Sequence, residues 1–430
     1  MSFSIDCAGS AFDGIVIAGG GVAGCAAAIG AARAGAKVLV LEESISLGGM
    51  ASGGQLPLWM SGSLSPIQQE LDRRCADTGV LSAGADRSAI SDEAVKIALE
   101  DWFEELGIEF FYSVSVIGAE VQENRISSIT IHHPGGIGRI TAPLFIDATG
   151  DGVLAAAANV PFTLGREPDH LCQGASISFS VCGVETDAGL PDSFDVPFET
   201  PNGNAAELAK KELTPPAGHL ILHKTPVKGV IAANMTNATG FDVTSASGRT
   251  AAIRLCRKQI KEIIAFFRRN LPGFENCSLF RSGSLFGVRE SRHFHGMDTL
   301  TETDILSGRV FDNWISANNH FPFDLHSVSG SGLDTNGQLE NFPQKYYTVA
   351  LTCCLPENIR NLMLAGRNIS GTHIAHASFR VMPICMNTGL GCGIAAAVSL
   401  DQGADPRDAD IPLIHRKLAE QGVVPRQMQS

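Results

Sequence analysis

Between Asp13 and Gly24 the chain reads DGIVIAGGGVAG, an apolar run followed by glycine at positions 19, 20, 21 and 24. Glycine loses more conformational freedom on folding than any other residue, so a run of it beside a buried strand implies that another group must come close to the backbone. Ile15 to Ala18 reads as a short strand, and Val22 to Arg33 as an alanine-rich helix that Gly35 caps. Lys37 to Leu41 reads as a second buried strand. Together they make one βαβ unit. Gly19, Gly21 and Gly24 match G-x-G-x-x-G directly after the first strand. The first glycine allows the tight turn, the second lets a pyrophosphate touch backbone, and the third lets helix pack on strand. The helix amino terminus adds free N–H groups and a partial positive charge, with Val22 and Ala23 in its first turn. Glu42 then closes the second strand, where a carboxylate suits a ribose that carries no 2′-phosphate.

A chain of 430 residues exceeds what one hydrophobic core usually serves. Two domains are therefore expected, one inserted in the other. Apolar content of 44% with 18% charged residues fits a well-buried enzyme. The net charge of -13 repels phosphate backbones, and no block of lysine or arginine offers a local footprint, which argues against a nucleic-acid partner. The opening MSFSIDCAGSAFDG lacks the basic flank and apolar core of a signal peptide. Gly14 to Ala32 and Val381 to Leu400 are long enough for membrane spans, but their glycines, Pro383 and Asn387 fit buried segments better. Eleven cysteines without a C-x-x-C pair point to free thiols in a reducing cytoplasm.

Along the rest of the chain, Val95, Leu99, Trp102, Phe103 and Leu106 recur at helical spacing over Asp92 to Leu106. From Gly107 the pattern alternates, and QENR and HPGG mark reversals, so a three-stranded meander leads into a buried strand, Leu144 to Ala148. The text from Leu171 to Phe342 is more polar and turn-rich, with one amphipathic helix, Thr250 to Asn270. The expected fold is α/β: a Rossmann-like dinucleotide-binding domain with a β-meander, formed by residues 1–170 and 343–430, plus an inserted α+β substrate domain, residues 171–342.

The segments GGGVAGCAAAIGAARAGAKVLVLEE, GGMASGG, FIDATGDG, GVRESRHFHG and NLMLAGRNISGTHIAHASFRVMPICMNTGLGCGIAAA resemble the FAD-dependent oxidoreductases of the glutathione-reductase-like flavoprotein class. The resemblance runs from Asp13 to near Leu400 and thins between Pro168 and Arg281. It implies FAD as cofactor and gives Glu42, with Glu43 beside it, to the adenosine ribose. Gly49 and Met50 would lie on the loop that follows. Ala148, Thr149, Gly150 and Asp151 would pass close to the cofactor, with Gly366 and Arg367 at the ribityl chain. The stretch Asn387 to Ala396, with Gly389 and Gly391, would open a helix whose amino end faces the flavin pyrimidine. Its dipole would stabilise the charge that develops on reduction.

A flavin enzyme also needs a base for the departing proton and charges to hold its substrate. His326, in FPFDLHSVSG, is the preferred base. Arg380, Arg289 and Arg292 are the cationic candidates, since a planar guanidinium suits a carboxylate or carbonyl. His293 and His295 alternate on one strand face, but no third ligand lies at a supporting spacing, so no metal site is expected. The leading function is hydride transfer between a small organic substrate and FAD. One complete fingerprint and no redox cysteine pair argue against a disulfide reductase. A flavin monooxygenase, a tRNA-modifying flavoprotein and a non-catalytic FAD-binding module stay open as alternatives.

Overall fold

The computed structural model describes residues 4–5, 9–60, 62–82, 85, 89–186, 198–334 and 343–428. Ile15–Ala18 and Val38–Leu41 are buried at all positions and pair in parallel. Such short, uninterrupted apolar strands suit a sheet covered on both faces. The sheet has five parallel strands in the order Leu362–Leu364, Leu144–Asp147, Ile15–Ala18, Val38–Leu41 and Glu109–Phe111. The chain therefore leaves the central strand Ile15–Ala18 toward one edge and returns on its other side. Ligands bind in α/β sheets at this kind of switch point, outside the carboxyl ends of the strands. Gly19 and Ala148 follow the two strands that flank it, so close together that a Cβ on Gly19 would lie 2.7 Å from the Ala148 carbonyl oxygen.

The helix over Asp92–Leu106 has the expected bounds, with the Ser91 side chain accepting from Ala94 N and left-handed Gly107 ending it. Val95, Leu99, Trp102 and Phe103 form its buried face. The meander is Ser115–Gln122, Arg125–His133 and Gly136–Thr141, antiparallel and consecutive. Glu123 and Asn124 both take positive φ at its first reversal, the backbone that a two-residue primed turn requires.

A second hydrophobic core gathers side chains between Ile177 and Cys277. Its four-stranded sheet, ordered Leu222–Lys224, Ile231–Ala233, Phe179–Cys182, Ser278–Ser282, is antiparallel. Ala246–Asn270, a helix one turn longer than the expected Thr250 start, packs its Ile260, Ile263 and Phe267 into this core. The expected end of the inserted unit, residue 342, lies outside the described residues. Within them, Phe294, Leu300, Trp314, Ile315 and Phe323 belong to the first core, not the second. The reason is pairing across long sequence distance: Arg292–Phe294 pairs with Phe162–Leu164, and Trp314–Asn319 with Tyr347–Ala350.

The helices Val22–Arg33 and Met382–Asp401 lie against each other along a seam of small residues. A Cβ on Gly389 would fall 2.1 Å from the Ala23 carbonyl oxygen, and one on Gly393 would fall 1.9 Å from that of Ala27. Gly391 is pressed on Ile315 in the same way. Met382–Asp401 is the one helix among the described residues long and apolar enough to cross a membrane, and 94% of that stretch is buried inside the fold.

Candidate active site

A cleft opens at the carboxyl ends of the central strands. Gly19, Gly21, Val22, Ala23, Glu42, Glu43, Gly49, Met50, Ala148, Thr149, Gly150, Asp151, Gly366 and Arg367 border it. The three glycines of the fingerprint differ in what holds them. Gly19 has φ 95° and no room for a side chain, and a Cβ on Gly24 would lie 1.9 Å from the Gly19 carbonyl oxygen. Gly24 thus serves helix–strand contact and does not border the cleft. A Cβ on Gly21 would meet nothing within 4 Å, and its φ of -66° is open to any residue. Protein packing alone gives no reason for glycine there, whereas a ligand crossing that space does.

Glu42 is buried and accepts from Gly20 N at 2.6 Å and from Ser44 N at 2.8 Å. Its carboxylate therefore fixes the glycine turn as well as bordering the cleft. Glu43's carboxyl is pushed above the usual range by burial and then by the charge on Glu42. In the ATGD segment Asp147 organises the turn: it accepts from Thr149 N and Oγ1, and from Ala155 N at 2.8 Å. Asp151 is buried yet held below the usual carboxylate range, because Arg367 and Arg249 together outweigh the cost of burial. It accepts from Arg367, from Arg249 at 3.2 Å and from Ser291 Oγ at 2.8 Å.

The helix expected to open at Asn387 instead begins at Met382, with a proline in its first turn. Asn387, Gly389 and Gly391 are a turn or more inside it and buried, so the assignment of the two glycines to the cofactor is corrected: they are packing positions. Met382 and Cys385 border the cleft in their place, and the positive end of the helix dipole lies with them. Burial raises the Cys385 thiol to about 12.

Arg380, the residue after the helix His373–Phe379, also borders the cleft. Its Nη2 donates to the Asp324 carbonyl at 2.7 Å, to the Asp324 carboxylate at 3.0 Å and to Gln173 Oε1 at 3.4 Å. His326 Nε2 is 3.4 Å from the same carboxylate. Asp324 is held far below the carboxylate range: burial opposes this, but His326, Arg380 and Arg289 prevail. His326 is lowered to about 4, first by burial and then by the Arg289 charge. Arg289 donates to the Gly174 carbonyl at 2.6 Å and is lowered to about 10 by burial and by Arg380. The fold thus brings His326, Arg380 and Arg289 together. Arg292 stands apart: it donates to the Asp151 carbonyl at 2.9 Å and lies over the Phe162 ring, so it is a support for the ATGD turn rather than a member of the catalytic cluster.

The expectation of no metal site rested on spacing along the chain. His293 is buried and His295 exposed; besides the Gly371 carbonyl, His293 meets Glu290 and, through it, His373. Neither pairing follows from an alternating strand pattern.

The model of the family described as FAD dependent oxidoreductase matches residues 14–418. The chain belongs to that family. FAD is accordingly the cofactor of this oxidoreductase, and the cleft fits it on its own terms. The bare backbone at Gly21 and the free N–H groups of the first helix would hold the pyrophosphate. Glu42 and Glu43 would meet the ribose, and Met50, Leu285, Phe286, Val288 and Met382 offer apolar walls for the ring. Arg249, Leu285 and Phe286, which border the cleft, and Asp324, which pairs with Arg380, are residues that sequence reasoning missed; Phe286 adjoins GVRESRHFHG, and Asp324 lies two residues before His326 in FPFDLHSVSG. No curated protein matches the chain. Among solved structures it is similar to a geranylgeranyl bacteriochlorophyll reductase-like protein from Thermoplasma acidophilum, with 14% identity, TM-score 0.52, and coverage of 96% of this chain and 83% of that one. It is also similar to a myxobacterial chondrochloren halogenase, an FAD-dependent enzyme, with 11% identity, TM-score 0.50, and coverage of 96% and 80%. At these identities the likeness concerns the fold.

Proposed function

We propose that this flavoprotein transfers a hydride between FAD and a small organic molecule carrying a carboxylate or carbonyl, with Arg380 and His326 acting on that molecule. The observation that carries the reading is that Arg380, which borders the cleft as Met382 does, meets Asp324, His326 and Arg289. Bound FAD supplies a carrier that takes or gives a hydride at its ring. Among the described residues, protein acceptors engage Arg380 only through Nη2. The rest of its fork keeps donors for a planar oxygen pair. Two guanidiniums against the one carboxylate of Asp324 leave the cluster positive, which favours an anionic substrate and disfavours a cationic one. His326, held neutral by burial and by its arginine neighbour, is in the form that can accept a proton.

The ten described cysteines are all free thiols, which supports a reducing, cytoplasmic setting. The test is anaerobic mixing of the FAD-loaded protein with a panel of small carboxylates and carbonyl compounds while the flavin band is followed. Saturable bleaching is expected, with the half-saturating concentration raised in R380A. Equal bleaching by wild type, R380A and H326A at equal FAD content would remove both residues from the reaction.

A further inference from the structure

A second cavity, of about 500 Å³, has His293 and His373 in its wall and carries chemistry that the hydride reading does not use. Behind the two histidines lies Glu290, fully buried. His293 Nε2 is 2.7 Å from Glu290 Oε1, and His373 Nδ1 is 2.6 Å from the same oxygen. The three groups come from the strand Arg292–Phe294, the segment just before it, and the first residue of the helix His373–Phe379. Their ligand atoms all lie within 4.8 Å of one another.

The surroundings of His293 are those of a ligand. Its Nδ1 is 3.1 Å from the Gly371 carbonyl oxygen, which can only accept. An ionised carboxylate also only accepts, so a neutral imidazole has one N–H for two acceptors. A cation between Nε2 and Glu290 removes the conflict. A backbone carbonyl holding Nδ1–H is the outer contact that orients a metal-binding histidine and leaves Nε2 to the ion. Glu290 is anchored in turn, since its Oε2 accepts from Gln173 N at 2.7 Å. A buried carboxylate needs compensating charge or hydrogen bonds, and a divalent ion supplies it.

We infer that Glu290, His293 and His373 form a site for one divalent transition-metal ion, whose remaining coordination positions face the 500 Å³ cavity. Two imidazole nitrogens and one carboxylate suit Zn²⁺ or Fe²⁺ better than Mg²⁺ or Ca²⁺, which prefer oxygen throughout. Bonds of about 2.0–2.1 Å in tetrahedral geometry set ligands about 3.3 Å apart, so the present contacts open by about 0.6 Å when an ion replaces a hydrogen-bonded proton. One carboxylate against two charges leaves the bound ion positive. Its open positions therefore take an oxygen ligand, either water or the carboxylate or hydroxyl of a small molecule in the cavity. The site is one residue from the flavin-side cluster: Gln173 gives its N–H to Glu290, and its Oε1 accepts from Arg380 and from His326 N.

The experiment uses FAD-loaded protein that has been treated with a chelator and dialysed. Zn²⁺ is titrated by calorimetry, and the metal-to-protein ratio is measured after desalting; Fe²⁺ under anaerobic conditions is the second arm. One equivalent is expected to remain bound. H373N, whose amide can still donate to Glu290, should lose at least the roughly 100-fold that even an outer-shell change can cost. H295A, altered in the same cavity wall, should bind as wild type does. FAD content, read from visible absorbance in each sample, reports the fold and the cofactor site separately from the metal. Wild-type protein that retains neither ion overturns the assignment, as does undiminished retention in both H373N and E290Q at normal FAD content.

Discussion

Replacing Gly21 by valine separates the demands of the fold from those of the cofactor. The backbone at Gly21 has φ -66° and ψ 176°, extended values that a β-branched residue adopts without strain. Its Cβ would touch no protein atom within 4 Å, so the apoprotein should keep its stability to within about 0.5 kcal/mol of the wild type, the range for substitutions that break nothing. The cleft should respond differently. A valine there fills the space over the turn and removes backbone approach to the pyrophosphate. Each hydrogen bond to a charged phosphate oxygen contributes about 1.5–3 kcal/mol, and losing two of them lowers affinity by about 10² to 10⁴. The assay is FAD titration of deflavinated protein, with melting of the apo and saturated forms alongside. Wild type at one hundred times its Kd should gain about 2.7 kcal/mol from the cofactor, an increment that G21V forfeits at the same FAD concentration. G24A is the contrast, because its Cβ would lie 1.9 Å from the Gly19 carbonyl oxygen, and overpacking of this kind costs about 1–3 kcal/mol in the apoprotein itself. If G21V binds FAD normally, or if its apo form is destabilised as G24A is, the open space over Gly21 does not belong to the phosphates.

E42A should lower FAD affinity by about 10- to 100-fold and also destabilise the apoprotein by about 1–3 kcal/mol, because Gly20 N–H loses its 2.6 Å acceptor in a buried turn; titration and apo melting read the two effects separately. Asp151 has a folded-state pKa below its unfolded value, so the stability it contributes is present above about pH 4 and is lost as pH falls toward the folded value. Melting temperature against pH should therefore drop below about pH 4 in wild type and be flatter, from a lower plateau, in D151N. H326A should retain FAD and slow flavin reduction by about 10²- to 10⁴-fold, and the wild-type rate should stay level as pH is lowered until it approaches about 4, where His326 takes its proton. A rate that already falls near pH 6.5, the ordinary histidine value, would assign the base to another residue.

The elements that could be read from sequence were those whose signals are local. Ser91 and Gly107 bracket Asp92–Leu106 with a cap at each end, and the strand, glycine turn and helix from Ile15 to Arg33 carry both period and punctuation. The start of the helix Met382–Asp401 is hidden in the sequence for a physical reason. Glycine in a helix and glycine in a phosphate turn look alike in the text, and only the fold reveals that Gly389 and Gly393 are pressed against Ala23 and Ala27. Pro383, which suits the first turn of a helix, was the overlooked sign that it starts at Met382. Polar composition places the segment around Trp314 in the inserted unit. Its strand is buried at every position and pairs with Tyr347–Ala350, and no local pattern announces so distant a partner.

The candidate site divides along the same line, which bears on how the charges act. Residues that meet the cofactor through backbone sit in short motifs and were visible as motifs. The charged side chains were visible one at a time, and their roles depend on partners far away in the chain. Arg292 and Arg289, three residues apart, illustrate this. Arg292 supports the Asp151 turn through its carbonyl, whereas Arg289 lowers His326 across the cluster that Arg380 and Asp324 complete. Spacing alone could not have separated them. The two arginines in the cluster would repel one another in a buried place without Asp324, which contacts Arg380 at 3.0 Å and His326 at 3.4 Å and stays ionised. Removing that carboxylate would therefore disturb every member at once. The positive charge left after it is counted should stabilise a bound anion, and the neutral His326 beside it should accept a proton without adding a third positive charge until the transfer occurs.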